Sequence, residues 1–394
     1  MRAHPEPSNA DHAHSSRRAR RGNAADSGPT FASDRERIES FGRCLDGLRK
    51  RIEAELGESD IAYMRRVRAS SSRLEIAGRS LIHFSFEPAG FFIGVTALWA
   101  HKLLETIEIG HTTLHGTYDR ISGAEALSSR AFRWKTPIDE DAWRNAHNIQ
   151  HHQYTNVTGR DPDLDFGLLR LSDGVAYKAV HALQPLSNLV TWFGFTSAID
   201  FHATGLIDAY TPGRKAHVLK DRSWRGIFAA HRAGLGKLLR YYGREYVFFP
   251  MLAGPFFWKT LLGNLLSEVG KDLYAGATVY CGHVGAKDYA PGTRARSRAE
   301  WYVMQVEASR DFEVPALFAL LCGGLERQIE HHLFPRLPPN RLRQIAPRVR
   351  AICEAHGVTY RTGTWPATLR DVLRSLHRLS SSAAPRSDGT TAPH

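Results

Sequence analysis

"HNIQHHQYTN", residues 147 to 156, places His147, His151 and His152 within six positions. The chain carries 20 histidines in 394 residues. Random placement of that many gives about one HxxxH pair but only about 0.05 HxxxHH triplets, so the pair alone is uninformative and the triplet is not. Two further stretches, "GHTTLHG" with His111 and His115 and "QIEHHLFP" with His331 and His332, make the set harder to assign to chance than any member of it.

Helical geometry accounts for the spacing. Residues four apart share a helix face, so His111 with His115, and His147 with His151, can each aim two ring nitrogens at one point. His152 follows on an adjacent face. Neutral imidazole is the commonest metal-binding side chain and suits Fe, Zn, Cu and Ni, and helix bundles build internal metal sites by clustering such groups on facing helices. The pattern therefore predicts a helical protein around a His-rich metal centre. For a single histidine the competing reading is a surface or satisfied core residue. That is the expectation for His4, His12, His14, His83, His181, His217, His231, His356, His377 and His394, but not for the eight in or near the boxes.

Outward from the boxes, no period of 20 to 50 residues marks a repeat, so one large catalytic domain is the default. With 52 Lys+Arg against 40 Asp+Glu, the formal charge is +12. That excess fits nucleic acid, an anionic lipid surface or an acidic partner protein. Nothing resembles a zinc finger, a homeodomain or an RNA-binding aromatic platform, and the basic residues are interspersed with apolar segments, which favours the membrane surface. Cys44, Cys281, Cys322 and Cys353 lie far apart with no CxxC, and the N-terminus lacks a signal-peptide apolar core; both point to reduced thiols in a cytoplasmic setting. Residues 1–35 and 379–394 are rich in Ser, Ala, Pro, Gly and charge and are expected to be disordered.

Four apolar segments run from Leu81 to Leu104, Leu186 to Ile207, Tyr246 to Leu266 and Leu273 to Val284. A hydrocarbon core asks for roughly 20 apolar residues per helix, and these segments are interrupted by Glu87 with Pro88, by Asp200 and by Lys259. The mean hydropathy of -0.35 argues against a many-span transporter but not against a few spans bearing a large polar cap. Without the motifs, buried helices of a soluble all-α protein would be an equal reading. If the histidines form one site, an even number of spans must separate His152 from His283 and from His331. At least one of the three segments between His152 and His283 is then interfacial, or the last two merge. Arg120, Arg130, Arg133, Lys135, Arg144, Arg336 and Arg341 place the box side in the cytoplasm by the positive-inside bias.

These residues resemble the membrane fatty acid desaturase family, whose pattern is three boxes of the forms HxxxH or HxxxxH, HxxHH or HxxxHH, and HxxHH or QxxHH. They stand here as His111 and His115, as His147, His151 and His152, and as Gln328, His331 and His332. The similarity extends over about residues 75 to 375, including "GRDPD" after the second box and "LFPRLPPNRL" after the third. The resemblance implies an all-α integral membrane protein: a helical lead-in at 36–75, then a desaturase domain at 76–375. A few transmembrane helices would carry a cytosolic helical cap over a dimetal site. It implies two Fe ions, held by those boxes together with His283 in "VYCGHVG", and O2 as co-substrate. It makes Asn264 a candidate for a water-mediated contact to the metal. Gln328, where many relatives have His, resembles the subgroup that desaturates between an existing double bond and the carboxyl end. Members of that subgroup often carry a fused cytochrome b5 domain with an HPGG motif; this chain has only "HPEP" at residues 4 to 7, so electrons are expected from a separate donor, such as ferredoxin or cytochrome b5 with its reductase.

The chemistry asks for such a centre independently of the resemblance. Removing hydrogen from an unactivated alkyl chain lies beyond acid, base or nucleophile, so an O2-activating redox metal must do the hard step while the protein positions chain and metal. Carboxylates in the second shell normally orient metal-bound histidines. Candidates are Glu108 before the first box, Asp161, Asp163 and Asp165 after the second, and Glu326 and Glu330 before the third; Glu330 ranks below the aspartates because its neighbour on a helix points about 100° away. Trp99, Phe91, Trp192, Phe193, Trp143, Phe256 and Trp301 are candidate linings of an acyl tunnel, and Arg336 and Arg341 candidate contacts for a CoA phosphate, a lipid headgroup or an acidic donor. The expected activity is the O2-dependent insertion of a cis double bond into the chain of a lipid or acyl-CoA. The alternative is a fatty acyl hydroxylase on the same diiron scaffold, which would share every box. A zinc-dependent hydrolase would want an HExxH-like setting, which the sequence lacks, and a non-catalytic metal-binding protein would need no open coordination position.

Overall fold

The computed structural model describes residues 31–211, 213–214 and 218–382. Most of both expected disordered tails, and with them His4, His12, His14 and His394, as well as His217, lie outside the described residues. The described chain is helical, with three isolated β-bridges and no strand.

Fourteen helices carry the architecture. They are α1 (Asp34–Ala54), α2 (Glu58–Phe84), α3 (Pro88–Leu103), α4 (Glu140–Trp143), α5 (Gln184–Phe193), α6 (Phe195–Ala203) and α7 (Leu206–Tyr210). There follow α8 (Trp224–Gly243), α9 (Phe257–His283), α10 (Arg298–Glu307), α11 (Ala316–Cys322), α12 (Gln328–Leu333), α13 (Pro339–Ala355) and α14 (Trp365–Leu379). Side-chain oxygens start several of them by accepting an otherwise orphan backbone N–H: Ser33 from Glu36, Glu87 from Gly90, Asp139 from Ala142 and Ser297 from Glu300. Pro88 follows Glu87 at the first turn of α3, where its missing N–H costs nothing.

Three helices do not stop where their α-helical stretch stops. α3 continues into a π-helix over Leu104–His111, α4 into one over Arg144–His151, and α8 into one over Arg244–Phe248. π-Helical turns are rare and concentrate at functional sites.

Two long hairpins form the body. α2 runs against α3, and Gly78 and Gly94 make their close crossing possible: a Cβ on Gly78 would come within 2.8 Å of the Leu98 backbone nitrogen, and one on Gly94 within 2.8 Å of that of Ile82. α8 and its continuation to Leu252 turn at Gly254 and Pro255 into α9, which packs on α3. A second core under the cap joins α1, α10, α12 and α13 through Phe41, Leu45, Tyr302, Ile329, Ile345 and Val349. The boundary expected at residue 75 falls inside α2, which is unbroken from Glu58 to Phe84.

Among the described residues, no helix is long and apolar enough to cross a membrane, contrary to the expectation of simple transmembrane helices. Length is not what is missing, since the 27 residues of α9 span about 40 Å. Its charges are the reason: Lys259, Glu268, Lys271 and Asp272 all sit within it. The 186–207 segment differs again, because Gly194 breaks it into helices of 10 and 9 residues, each about 15 Å or less against a hydrocarbon core of roughly 30 Å.

Candidate metal centre

The second HxxxH spacing lies within a π-helix, whereas the first begins where one ends: His111 closes the π-helical stretch and the His115 N–H makes an α-type bond to the His111 carbonyl. A π-helix closes its hydrogen bonds five residues apart, and the His152 N–H accordingly bonds the carbonyl of His147. This aligns residues that an α-helix would fan apart: His147 Nε2 and His152 Nε2 lie 3.2 Å from each other. On the first box His111 Nε2 and His115 Nε2 are 3.3 Å apart. Two nitrogens bound at about 2.1 Å to one cation, at angles between 90° and tetrahedral, sit about 3.0–3.4 Å apart, so these pairs have the spacing of ligands to a shared ion.

Ring nitrogens gather into two groups. His111, His115, His147 and His331 bring one ligand atom each within 4.8 Å of one another, and His151, His283 and His332 do the same. His152 lies between them, its ring stacked on His332 at 4.3 Å and edge-on to His331 at 4.9 Å. Gln328 joins the second group, its Nε2 2.8 Å from His283 Nε2. Gly282 makes room for it, since a Cβ there would meet Gln328 Cγ at 2.8 Å. The three boxes and His283, far apart in sequence, are thus one cluster in space.

The donor set fits a metal. The Nε2 atoms of His331 and His332 and the Oε1 of Gln328 are buried with no hydrogen-bond partner, a costly state that a bound cation removes. Burial, reinforced by the neighbouring imidazoles, holds His115, His147, His152, His331 and His332 well below the usual histidine range, so their lone pairs are free at neutral pH. His151 behaves oppositely. Burial would lower it, but the carboxylates of Asp161 and Asp163 overcome that and hold it up to about 9.

Outer partners orient the rings. His151 Nδ1 lies 3.1 Å from both oxygens of Asp161 and 3.4 Å from Asp163 Oδ2. His283 Nδ1 meets the Ala308 carbonyl at 3.2 Å. His332 Nδ1 meets Gln305 Oε1 and Thr155 Oγ1, each at 3.1 Å. In every case Nδ1 is engaged, which turns Nε2 toward the cluster. Trp143 stacks on His147 at 4.5 Å and lies edge-on to His111 and His115.

Several sequence candidates sit elsewhere. Asn264 donates to the Glu245 carbonyl and receives Arg79 at 3.5 Å; it stands 19 residues before His283 on α9, about 28 Å along the helix, and so is no part of the cluster. Asp165 accepts from the Gly167 N–H at 2.9 Å. Glu108 accepts from Tyr63 and lies 3.7 Å from Arg343, which also holds Glu326 at 2.5 Å, so this clamp joins the helices of the first and third boxes without touching a histidine. Glu330 points away to Tyr360, as its position beside His331 implies. Arg341 is occupied by Asp60, while Arg336 is exposed. Gln305, Thr155 and His202 went unremarked in the sequence; His202 Nε2 donates to Asp163 Oδ1 at 2.8 Å, and a lone Gln, Thr or His carries no spacing that would single it out.

Against the histidines opens a cavity of about 100 Å³, lined by His111, His147, His151, His283 and Gln328 on one side and by Ile107, Ile138, Phe195, Ile199, Ala275 and Val279 on the others. A second of about 50 Å³ shares His151, His283, Phe195 and Val279 and extends toward Phe166 and Leu171. Of the aromatic tunnel candidates, Trp143 lines the larger cavity; Trp99 packs on Tyr274, Trp192 on Tyr280 and Trp301 on Tyr302.

Residues 86–364 match the family described as "Fatty acid desaturase". The chain is 32% identical over 352 residues to a "NADPH-dependent stearoyl-CoA 9-desaturase" of Mycobacterium tuberculosis, covering 87% of this chain and 80% of that one. It is 24% identical over 283 residues to an "sn-1 linoleoyl-lipid 6-desaturase" of Arthrospira platensis, covering 68% and 74%. To the human "Fatty acid desaturase 3" it is 24% identical over 254 residues, covering 60% and 49%.

Proposed function

Since the chain belongs to the fatty acid desaturase family and is a fatty acyl desaturase, we propose that it inserts a cis double bond into a long saturated acyl chain carried as a CoA thioester, at or near carbon 9. The observation that carries this reading is the pair of imidazole groups, of which His111, His147, His151 and His283 line one wall of a largely apolar cavity. The position and carrier follow the mycobacterial relative, which matches most of the chain. Gln328 favours a second reading, desaturation on the carboxyl side of an existing double bond, and the linoleoyl-lipid relative is of that kind.

His111, His115, His147, His152 and His331 would hold one iron, and His151, His283 and His332, with Gln328 beside them, the other. With its amide turned by 180°, Gln328 would offer Oε1 in place of Nε2 beside His283 Nε2. What the pair of irons supplies when bound is activation of O2: two vicinal hydrogens leave the chain, and two electrons from a separate donor with two protons complete the reduction of O2 to two waters. The chain's own residues prepare that step. Asp161 accepts the Nδ1–H of His151, the Ala308 carbonyl that of His283, and Gln305 that of His332, so these rings keep their orientation through a redox cycle. Ile107, Ile138, Phe195 and Val279 keep water from the reacting carbons.

We infer a membrane setting with the histidine side at the cytoplasmic face. The outward faces of the hairpins are apolar: Phe92, Ile93, Phe248, Met251, Trp258, Leu262 and Leu265 are all exposed. Of the charges that lower the hydropathy of α9, Glu268, Lys271 and Asp272 face inward and pair with one another and with Lys102 of α3, which is how ionisable groups are accommodated at membrane depth.

The test is the fatty acid methyl ester profile, by mass spectrometry, of cells expressing the intact chain against cells expressing His151→Ala, fed saturated and monounsaturated acids. A new monoene at carbon 9 only with the intact chain is the expected result. A new bond only in the monounsaturated feed establishes the Gln328 reading, a hydroxylated product the oxygenase alternative.

A further inference from the structure

The cavity ends on charge. Along α9 the residues that line it recur every four positions, His283, Val279 and Ala275. The next residue on that stripe, Lys271, is fully buried behind the wall, where its Nζ donates to Thr196 Oγ1 at 2.8 Å and Glu268 Oε1 at 2.7 Å and lies 2.9 Å from Asp272. The facing helix changes in the same way. Thr106 lines the cavity, and four residues earlier Lys102 donates to Glu268 Oε2 at 2.6 Å and Glu245 Oε2 at 2.9 Å. Two lysines, one from α3 and one from α9, therefore clamp one carboxylate a single turn beyond the last lining residues. Thr196 belongs to both, lining the cavity with one side and bonding Lys271 and Asp272 with its hydroxyl.

Such a network is an end-stop for hydrocarbon. Every charge in it has a partner at hydrogen-bond distance, and a methylene that entered would have to separate buried pairs, which is strongly unfavourable. We propose that Ala275, Thr106 and Thr196, backed by the Lys102–Glu268–Lys271 network, form the floor that measures how much acyl chain fits beyond the reacting carbons. The proposal rests on the acyl desaturase reading above, which supplies the ligand. The eight residues from His283 to Ala275 rise about 12 Å. A chain extended at about 1.25 Å per bond, from a 1.52 Å C–C bond and a 111° angle, places about nine or ten carbons in that depth. A stearoyl chain desaturated at carbon 9 has about nine carbons beyond it, so the floor lies where that substrate needs it.

The test raises the floor. Wild type, Ala275→Leu and, from the opposite wall, Thr106→Leu are compared as purified full chains on myristoyl-CoA and stearoyl-CoA, with a reducing donor supplied. Equilibrium binding of the same two thioesters to each metal-stripped protein is measured beside turnover. The myristoyl to stearoyl ratio of kcat/KM should rise at least tenfold in either variant, and the binding preference should move the same way. Unchanged ratios in both measurements, in whichever variants fold, overturn the floor. Wild type that binds the thioesters but desaturates neither overturns the desaturase reading instead, and the binding preference still decides the floor.

Discussion

Two polar clusters are buried around the cavity, one lining it and one a helical turn behind its lining residues, and they are built on opposite terms. The histidine cluster is all base: seven box histidines and His283, with the Nε2 atoms of His331 and His332 unpartnered. The cluster of Lys102, Glu245, Glu268, Lys271 and Asp272 holds both signs, and each member pairs with another. The first is incomplete without a cation and the second is complete in itself. A buried polar group that stays unsatisfied is costly, so the first marks a binding site and the second a structural element.

If that contrast is right, removing a member should have different consequences on the two sides. The largest effect is expected at the histidines: His332→Ala, or His151→Ala, abolishes desaturation and lowers bound iron while the protein still folds, as product analysis and metal content would show. Loss of iron only together with loss of folded protein would erase the distinction. In the ion network the deficit goes into stability. Glu268→Leu deprives both lysines of their shared carboxylate and should cost about 3–5 kcal/mol, read as a lowered unfolding temperature. The molecules that remain folded keep the wild-type ratio of iron to protein.

The outer partners sharpen the comparison further. Asp161→Asn should weaken metal binding about 10–100-fold, because the carboxylate fixes the His151 ring, whereas Asp165→Asn, which touches no histidine, should leave it unchanged. Competition with a graded series of chelators measures both. Asp161 and Asp163 also set a pH dependence. They hold His151 up to about 9, above the ordinary value of 6.5, so in the metal-free protein its proton stabilises the fold fully below 6.5 and that contribution is lost as pH rises through 9. An incoming metal must displace this proton, so metal affinity should climb by about tenfold per pH unit from 6.5 toward 9, a slope that Asp161→Asn flattens. The smallest change is expected from Gln328→His, which puts an imidazole in place of the amide at the edge of the cluster and should retain measurable turnover. Complete loss with iron intact would give the amide a specific role.

The histidines were legible because composition and spacing mark them against chance, and the carboxylates of "GRDPD" because they follow the second box directly. What the spacing hid was the local geometry. HxxxH reads as two stacked positions of an α-helix, but Arg144–His151 is π-helical, and that extra residue per hydrogen-bonded turn is what brings His152 back over His147. Gln305 and Thr155 reach His332 only through tertiary packing, 27 and 177 residues away in sequence, and no local pattern announces them. Asn264 was misplaced for a related reason: it shares a helix with His283 but stands many turns away. The apolar segments read as poor isolated spans because hydropathy averages over a helix and does not see that α9 turns Glu268, Lys271 and Asp272 inward and its leucines outward.

The most direct test of the contrast is the metal content of the purified full chain, grown with iron and measured by inductively coupled plasma mass spectrometry beside His332→Ala and Glu268→Leu. The account predicts two irons per folded wild-type chain, fewer in His332→Ala, and two again in whatever Glu268→Leu remains folded. Fewer than one metal ion in the wild type, or the same number in His332→Ala, would contradict it.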